Sequence, residues 1–202
     1  MAHEQSVWEK MVEENPGHSE WYIQRFRDLA AEGADIVGEA RLVDAMVPRG
    51  SRILDAGCGP GRIGGYLYDV GHDVVGVDVD PALIAAAEQD HPGPVWLVGN
   101  LADLDLAERD IEERFDVIVC AGNVMTFVAP STRREVLRRL SNHLRGPGRV
   151  LVGFGAGRGY DFSEFLKDAS ASGLEPDYLL ESWDLRPFTE NSEFLVAILR
   201  RA

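Results

Sequence analysis

From Arg52 onward the chain alternates short apolar runs with stretches of helical spacing, and that alternation constrains the fold more than any single residue does. The apolar runs are RILDAG (52–57), DVVGVDVD (73–80), VWLVGN (95–100), FDVIVCAG (115–122) and GRVLVGFG (148–155). They are rich in Val, Ile and Leu, as strands covered on both faces are. The stretches GRIGGYLYDVG, PALIAAAEQD, STRREVLRRLSNHL and DFSEFLKDASASG read as helices. Strand, helix, strand in this order makes βαβ units, whose strands run parallel under helices on both faces. Asp80 ahead of Pro81 predicts a helix N-cap and first position. Thr132 with Glu135 predicts a capping box. The end of the chain breaks the rhythm: YLLESWDLRPF and EFLVAILRR are joined by TENS with no helix between, which predicts an antiparallel hairpin.

The part before Arg52 reads as helical: SVWEKMVEE closed by NPG, HSEWYIQRFRDLAAEG with Ser19 as N-cap, and ADIVGEARLVDAMV closed by Pro48 and Gly50. The expected architecture is therefore α/β: a doubly wound, mostly parallel seven-stranded sheet with helices on both faces and a C-terminal antiparallel β-hairpin. Residues 1–48 form a helical N-terminal lid and residues 49–202 the main fold. The 202 residues suit a single domain overall.

Charge narrows the partners. With 20 Lys and Arg against 34 Asp and Glu, the formal net charge is −14. A chain that grips a nucleic-acid backbone or an anionic membrane needs a basic stripe. The densest basic run, STRREVLRRL, reads as a solvated helix face. No nucleic acid and no membrane partner is expected. The two cysteines, Cys58 and Cys120, form no CxxC pair, and the five histidines show no ligand spacing, so no metal is expected. The start lacks a cleavable apolar segment, no run is long enough to span a bilayer, and a cytoplasmic location is expected.

The stretch ILDAGCGPGRIGGYL places five glycines directly after the first strand. Ligands of doubly wound sheets bind beyond the C-terminal strand ends, where this loop lies. Gly57, Gly59 and Gly61 allow a tight turn and close approach of a ligand to the main chain. GPGRIG matches the dinucleotide fingerprint, which would set a pyrophosphate on the helix N-terminus. Asp55, at the end of the strand, argues against that: a unit charge about 5 Å from a phosphate, at an effective dielectric of about 20, costs roughly 3 kcal/mol. The same carboxylate favours a ligand with an ammonium and a sulfonium, as in S-adenosylmethionine. Asp55 can also cap the N–H groups of the loop, and the two roles coexist. Asp78 ends the second strand, where an acid accepts from ribose hydroxyls; this feature fits NAD and the methyl donor alike.

LDAGCGPG together with GVDVD resembles the class I (Rossmann-like) S-adenosylmethionine-dependent methyltransferases over roughly residues 50–202. The resemblance implies that Asp55 and the loop Gly57, Cys58, Gly59 and Gly61 hold the methionine end, Asp78 the ribose, and Val79 the adenine. The family commonly has an Asp after strand three at the adenine edge; here Asn100 and Leu101 stand there, and an amide serves by accepting from the adenine amino group and donating to a ring nitrogen. Cys120 and Ala121, at the end of the fourth strand, complete the cofactor side. The product is S-adenosylhomocysteine. CAGNVMTFV lacks the Asn/Asp-Pro-Pro-aromatic signature of enzymes that methylate amino groups of bases.

A sulfonium is already a good leaving group, so alignment of the nucleophile supplies most of the catalysis and no catalytic side chain is picked out. Folded over the cofactor, the N-terminal helices would bring Trp21 and Tyr22 to the acceptor and Arg25 to the methionine carboxylate; Tyr22, Phe26 and Leu29 equally read as a core stripe and Arg25 as solvated. Asn123, Met125, Arg158 and Tyr160 are further wall candidates. The expected function is methyl transfer to an oxygen or nitrogen of a small metabolite by in-line displacement. The alternatives are an NAD(P)-dependent oxidoreductase and a non-catalytic S-adenosylmethionine-binding module.

Overall fold

The computed structural model describes residues 4–202. Strands β1 (Arg52–Ala56), β2 (Asp73–Asp78), β3 (Val95–Val98), β4 (Phe115–Cys120), β5 (Leu144–Gly155), β6 (Leu174–Leu180) and β7 (Phe194–Arg201) form one sheet in the order β3-β2-β1-β4-β5-β7-β6. The pairs among β1 to β5 are parallel, and β7 runs antiparallel to β5 and β6. The helices are α1 (Val7–Glu14), α2 (His18–Ala31), α3 (Gly38–Ala45), α4 (Arg62–Asp69), α5 (Pro81–Asp90), the single turn α6 (Val124–Phe127), α7 (Arg133–His143) and α8 (Phe162–Ala171).

Successive strand residues serve opposite faces, and here both faces are covered. Leu54, Ile118 and Val152 pack toward Leu137 and Leu140 of α7 and Phe165 of α8. Their neighbours Ile53, Val117 and Leu151 pack toward Val43 of α3 and Ile63 and Leu67 of α4. The strand order reverses between β1 and β4, which opens a crevice at the C-terminal ends of both. The N-terminal helices lie over that end: Trp8 of α1 and Ile23 of α2 are buried against Leu83 and Ala86 of α5.

The sheet follows the sequence pattern, as does Asp80, whose Oδ1 accepts from Ala82 N at 2.8 Å with Pro81 at the first helical position. Several local expectations are corrected. Gly17, not Ser19, is the N-cap of α2; Ser19 lies inside the helix, where its hydroxyl donates to Asp80 Oδ2 at 2.5 Å. Thr132 makes no capping box, because its hydroxyl donates to Ala129 O in the preceding turn, while Glu135 pairs with Arg138 and Arg139. Arg133 of the basic run is not solvated: it is 6 % exposed, with its guanidinium 3.9 Å from the Tyr160 ring centroid. The last hairpin begins at Leu174 rather than Tyr178. Pro176 sits where the β6–β7 register shifts, and an outermost strand tolerates a proline there. The stretch SWDLRPF mostly turns, keeping one bridge, Leu180 to Pro187.

Candidate functional site

The loop from Ala56 into α4 turns on Gly57, whose φ is +79°. A Cβ there would stand 2.4 Å from Val124 Cγ2, so the loop and α6 meet only because position 57 is bare. Gly64 serves packing instead: its Cβ would lie 2.7 Å from the Trp96 indole. The loop floors a cleft enclosing about 810 Å³, part of it open to solvent, a size ordinary for a cofactor site.

Of the residues singled out above, Gly57, Cys58, Gly59, Asp78 and Val79 line the cleft, as do Asn100, Leu101, Ala121 and Tyr22. Asp78 Oδ2 accepts from Gly59 N at 2.9 Å and Oδ1 from Asp80 N at 3.0 Å. Each carboxylate oxygen therefore keeps acceptor capacity for a ligand. Burial pushes the Asp78 carboxyl up to about 6, against the pull of these N–H donors. Asn100 Oδ1 accepts from Ala102 N at 2.9 Å, capping a short turn, which leaves its NH₂ group and the second lone pair of its carbonyl to serve a ligand.

Asp55 does not line the cleft. It is 1 % exposed, and its Oδ2 accepts from Gly64 N, in the first turn of α4, at 2.9 Å. Desolvation pushes its carboxyl up to about 7, with the Gly64 N–H and nearby Arg62 opposing. The helix N-terminus that holds a pyrophosphate in dinucleotide sites is thus capped here by the protein's own carboxyl group. Gly61 is the left-handed N-cap of α4, and Cys120 is fully buried within β4; neither reaches the cleft. Burial drives both thiols far up, so neither is a nucleophile.

The remaining candidates lie off the cleft. Trp21 is 55 % exposed, with Arg25 over its ring at 5.8 Å. These two share the outer face of α2, whereas Ser19, Tyr22 and Ile23 face inward. Asn123, left-handed at φ +67°, ties the ends of β4 and β5 together, its Oδ1 accepting from Gly155 N at 2.9 Å. Met125 is fully buried, Tyr160 is buried with its hydroxyl donating to Asp168, and Arg158 lies on an exposed loop beside Gly155.

The sequence reading missed Trp8, Arg62, Phe127 and Val128, which also line the cleft. Arg62 is the first residue of α4; its guanidinium grips both Glu39 oxygens, at 2.9 and 2.6 Å, and donates to Ile36 O. Its position directly after the glycine loop was the available signal. Trp8 and Phe127 come from distant segments and meet edge to face, with centroids 5.8 Å apart. Among the described residues no cluster of His, Cys, Asp and Glu is arranged to hold a metal ion, and no helix is long and apolar enough to cross a membrane.

A family model described as a methyltransferase domain matches residues 53–148. The crystal structure of a TehB-like S-adenosylmethionine-dependent methyltransferase from Corynebacterium glutamicum is 54% identical, covers 93% of this chain and 100% of that one, and superposes with a TM-score of 0.88. The magnesium-protoporphyrin O-methyltransferase of Rhodobacter capsulatus is 33% identical over 120 residues, 55% of this chain and 50% of that protein. The glycine/sarcosine N-methyltransferase of Halorhodospira halochloris is 27% identical over 149 residues, 70% of this chain and 56% of that protein. The chain spans about half the length of these two curated relatives.

Proposed function

This chain belongs to the class I S-adenosylmethionine-dependent methyltransferases, and on that premise we propose that it transfers a methyl group from S-adenosylmethionine to an oxygen or nitrogen of a small metabolite. The observation that carries the reading is the division of labour between two acids. Asp78 faces the cleft with acceptor capacity on both oxygens, while Asp55 occupies the Gly64 amide at the α4 N-terminus, the helix end to which a diphosphate would bind.

The residues present fit the cofactor. Asp78 takes the ribose hydroxyls, Val79 and Leu101 offer apolar surface to the adenine, and the Asn100 NH₂ serves its edge. The bare main chain of Gly57 and Gly59 receives the amino-acid end. When bound, S-adenosylmethionine supplies an electrophilic methyl group on a sulfonium leaving group. The chain's own contribution is orientation and exclusion of water. Tyr22, Trp8, Phe127 and Val128 enclose the cleft, and the pinned Gly122–Asn123 turn fixes the wall where β4 ends. Holding an acceptor in line can supply about 7–11 kcal/mol. Among the described residues no histidine lines the cleft, which suits an acceptor that arrives unprotonated.

The acceptor is compact, because the segment between β5 and β6 carries only α8 and adds no substrate domain. Helices α1 and α2 serve as the cap, and α3 joins residues 49–202 in the cofactor-binding fold, working in the cytoplasm with neither nucleic acid nor membrane as partner. Incubation with methyl-labelled S-adenosylmethionine and a fractionated metabolite extract tests this: label should pass to a small-molecule fraction. Tight cofactor binding with no transfer to any fraction would instead mark a binding module.

A further inference from the structure

Asp80 does more than cap α5. Its Oδ1 caps the helix, but its Oδ2 accepts two hydrogen bonds from the N-terminal helices: Trp8 Nε1 of α1 at 2.9 Å and Ser19 Oγ of α2 at 2.5 Å. All three residues are buried, at 6, 8 and 5 % exposure. A carboxylate oxygen taking an indole N–H and a hydroxyl is a charge-assisted junction, and each donor left behind by its loss would be a buried unmet group. The junction is also wired to the cleft, since Asp80 N donates to Asp78 Oδ1. One turn beyond Ser19 on the same helix face, Tyr22 lines the cleft, with its ring 3.7 Å from where a Gly59 Cβ would stand. Behind α2 the chain crosses the exposed stretch 31–35, with Gly33 at φ +74°, before α3 begins.

We propose that α1 and α2 form a cap latched by Asp80, in which Ser19 and Asp80 are positioning residues that hold Tyr22 over the bound cofactor and set the rate at which it leaves. The inference rests on the cofactor assignment above. Closure buries Trp8 and Ile23 on α5, and the latch fixes how α2 is turned, so that Tyr22 rather than Trp21 faces the cleft. Opening pivots at Gly33 and breaks both bonds to Asp80 Oδ2 together.

The test is Ser19→Ala, which removes one donor without altering the lining of the cleft. One hydrogen bond to a carboxylate is worth about tenfold or more in the opening equilibrium. In stopped-flow displacement, S-adenosylhomocysteine should dissociate about tenfold faster, the KM for the cofactor should rise, and kcat should move little. Amide exchange on the cofactor-free protein should speed up in residues 7–31 and stay constant in the sheet. Ser19→Thr, which restores the hydroxyl, should restore both readouts. In a Tyr22→Ala background, which removes the ring over the cleft, the effect of Ser19→Ala on dissociation should shrink, because the latch acts through Tyr22. Unchanged dissociation, exchange rising equally in sheet and cap, or an undiminished effect in the Tyr22→Ala background would each overturn the proposal. If the wild-type chain binds no S-adenosylhomocysteine, the cofactor assignment fails and the latch as a retention device fails with it, whereas normal wild-type binding with an indifferent Ser19→Ala rejects the latch alone.

Discussion

Asp78→Ala isolates the ribose contact on which the cofactor assignment turns. The wild-type carboxylate holds two main-chain N–H groups, Gly59 at 2.9 Å and Asp80 at 3.0 Å, and faces the cleft with its remaining lone pairs. A hydrogen bond to a charged group is worth about 1.5–3 kcal/mol, so loss of the ribose contact weakens binding by roughly ten- to a hundredfold. The substitution also leaves both N–H groups without their acceptor, which loosens the loop and adds an indirect loss. The ligand separates the two. S-adenosylhomocysteine and its 2′,3′-dideoxy analogue, titrated calorimetrically into wild type and variant, close a double-mutant cycle. Removing the hydroxyls should cost the wild type roughly ten- to a hundredfold and the variant almost nothing. Equal losses in both proteins would show that Asp78 does not meet the ribose, whatever the variant does to overall affinity.

Three further outcomes are expected. Burial raises the Asp55 carboxyl from 3.8 to about 7, so between those pH values the native state keeps a proton that the unfolded chain has released, and the stability from neutral Asp55 is lost as pH rises. Asp55→Asn keeps an acceptor for Gly64 N without ionising; its melting temperature relative to wild type should therefore rise between pH 5 and pH 8, and a relative fall would contradict the assignment. Binding through ionised Asp78, whose free carboxyl titrates at about 6, should release protons near pH 5.5 and weaken as pH falls below 6; calorimetry in two buffers of different ionisation enthalpy reads this directly, and Asp78→Ala should abolish it. Gly57→Ala places a methyl 2.4 Å from Val124 Cγ2 at φ +79°, a strain of about 1–3 kcal/mol before any clash; it should lower both melting temperature and cofactor affinity, with partial rescue by Val124→Ala.

The sheet was legible because its signals are local. Strand-length apolar runs, helical spacing between them and the Asp80–Pro81 cap all lie within a few residues of what they determine, and the missing helix before EFLVAILRR exposed the hairpin. Asp78 and the glycine loop were legible for the same reason. Contacts across the chain were not. Nothing near Ser19 or Trp8 announces a partner 61 or 72 residues away, so Ser19 read as a cap and Trp8 only as part of an amphipathic stretch. Rotation of α2 about its axis decides that Tyr22 faces the cleft while Trp21 and Arg25 face out, and the latch and the Ile23 contact set that rotation, not spacing. Asp55 was placed at the right corner, but whether its carboxyl points to ligand or helix depends on how closely α4 approaches, which the packing of Gly64 against Trp96 fixes.

The crevice beyond β1 and β2 should admit S-adenosylmethionine and refuse a dinucleotide. Calorimetric titration of the purified chain with S-adenosylhomocysteine and, under the same conditions, with NAD separates the two. Saturable one-site binding of the first and no heat from the second is expected; binding of NAD with silence toward S-adenosylhomocysteine would overturn the cofactor assignment.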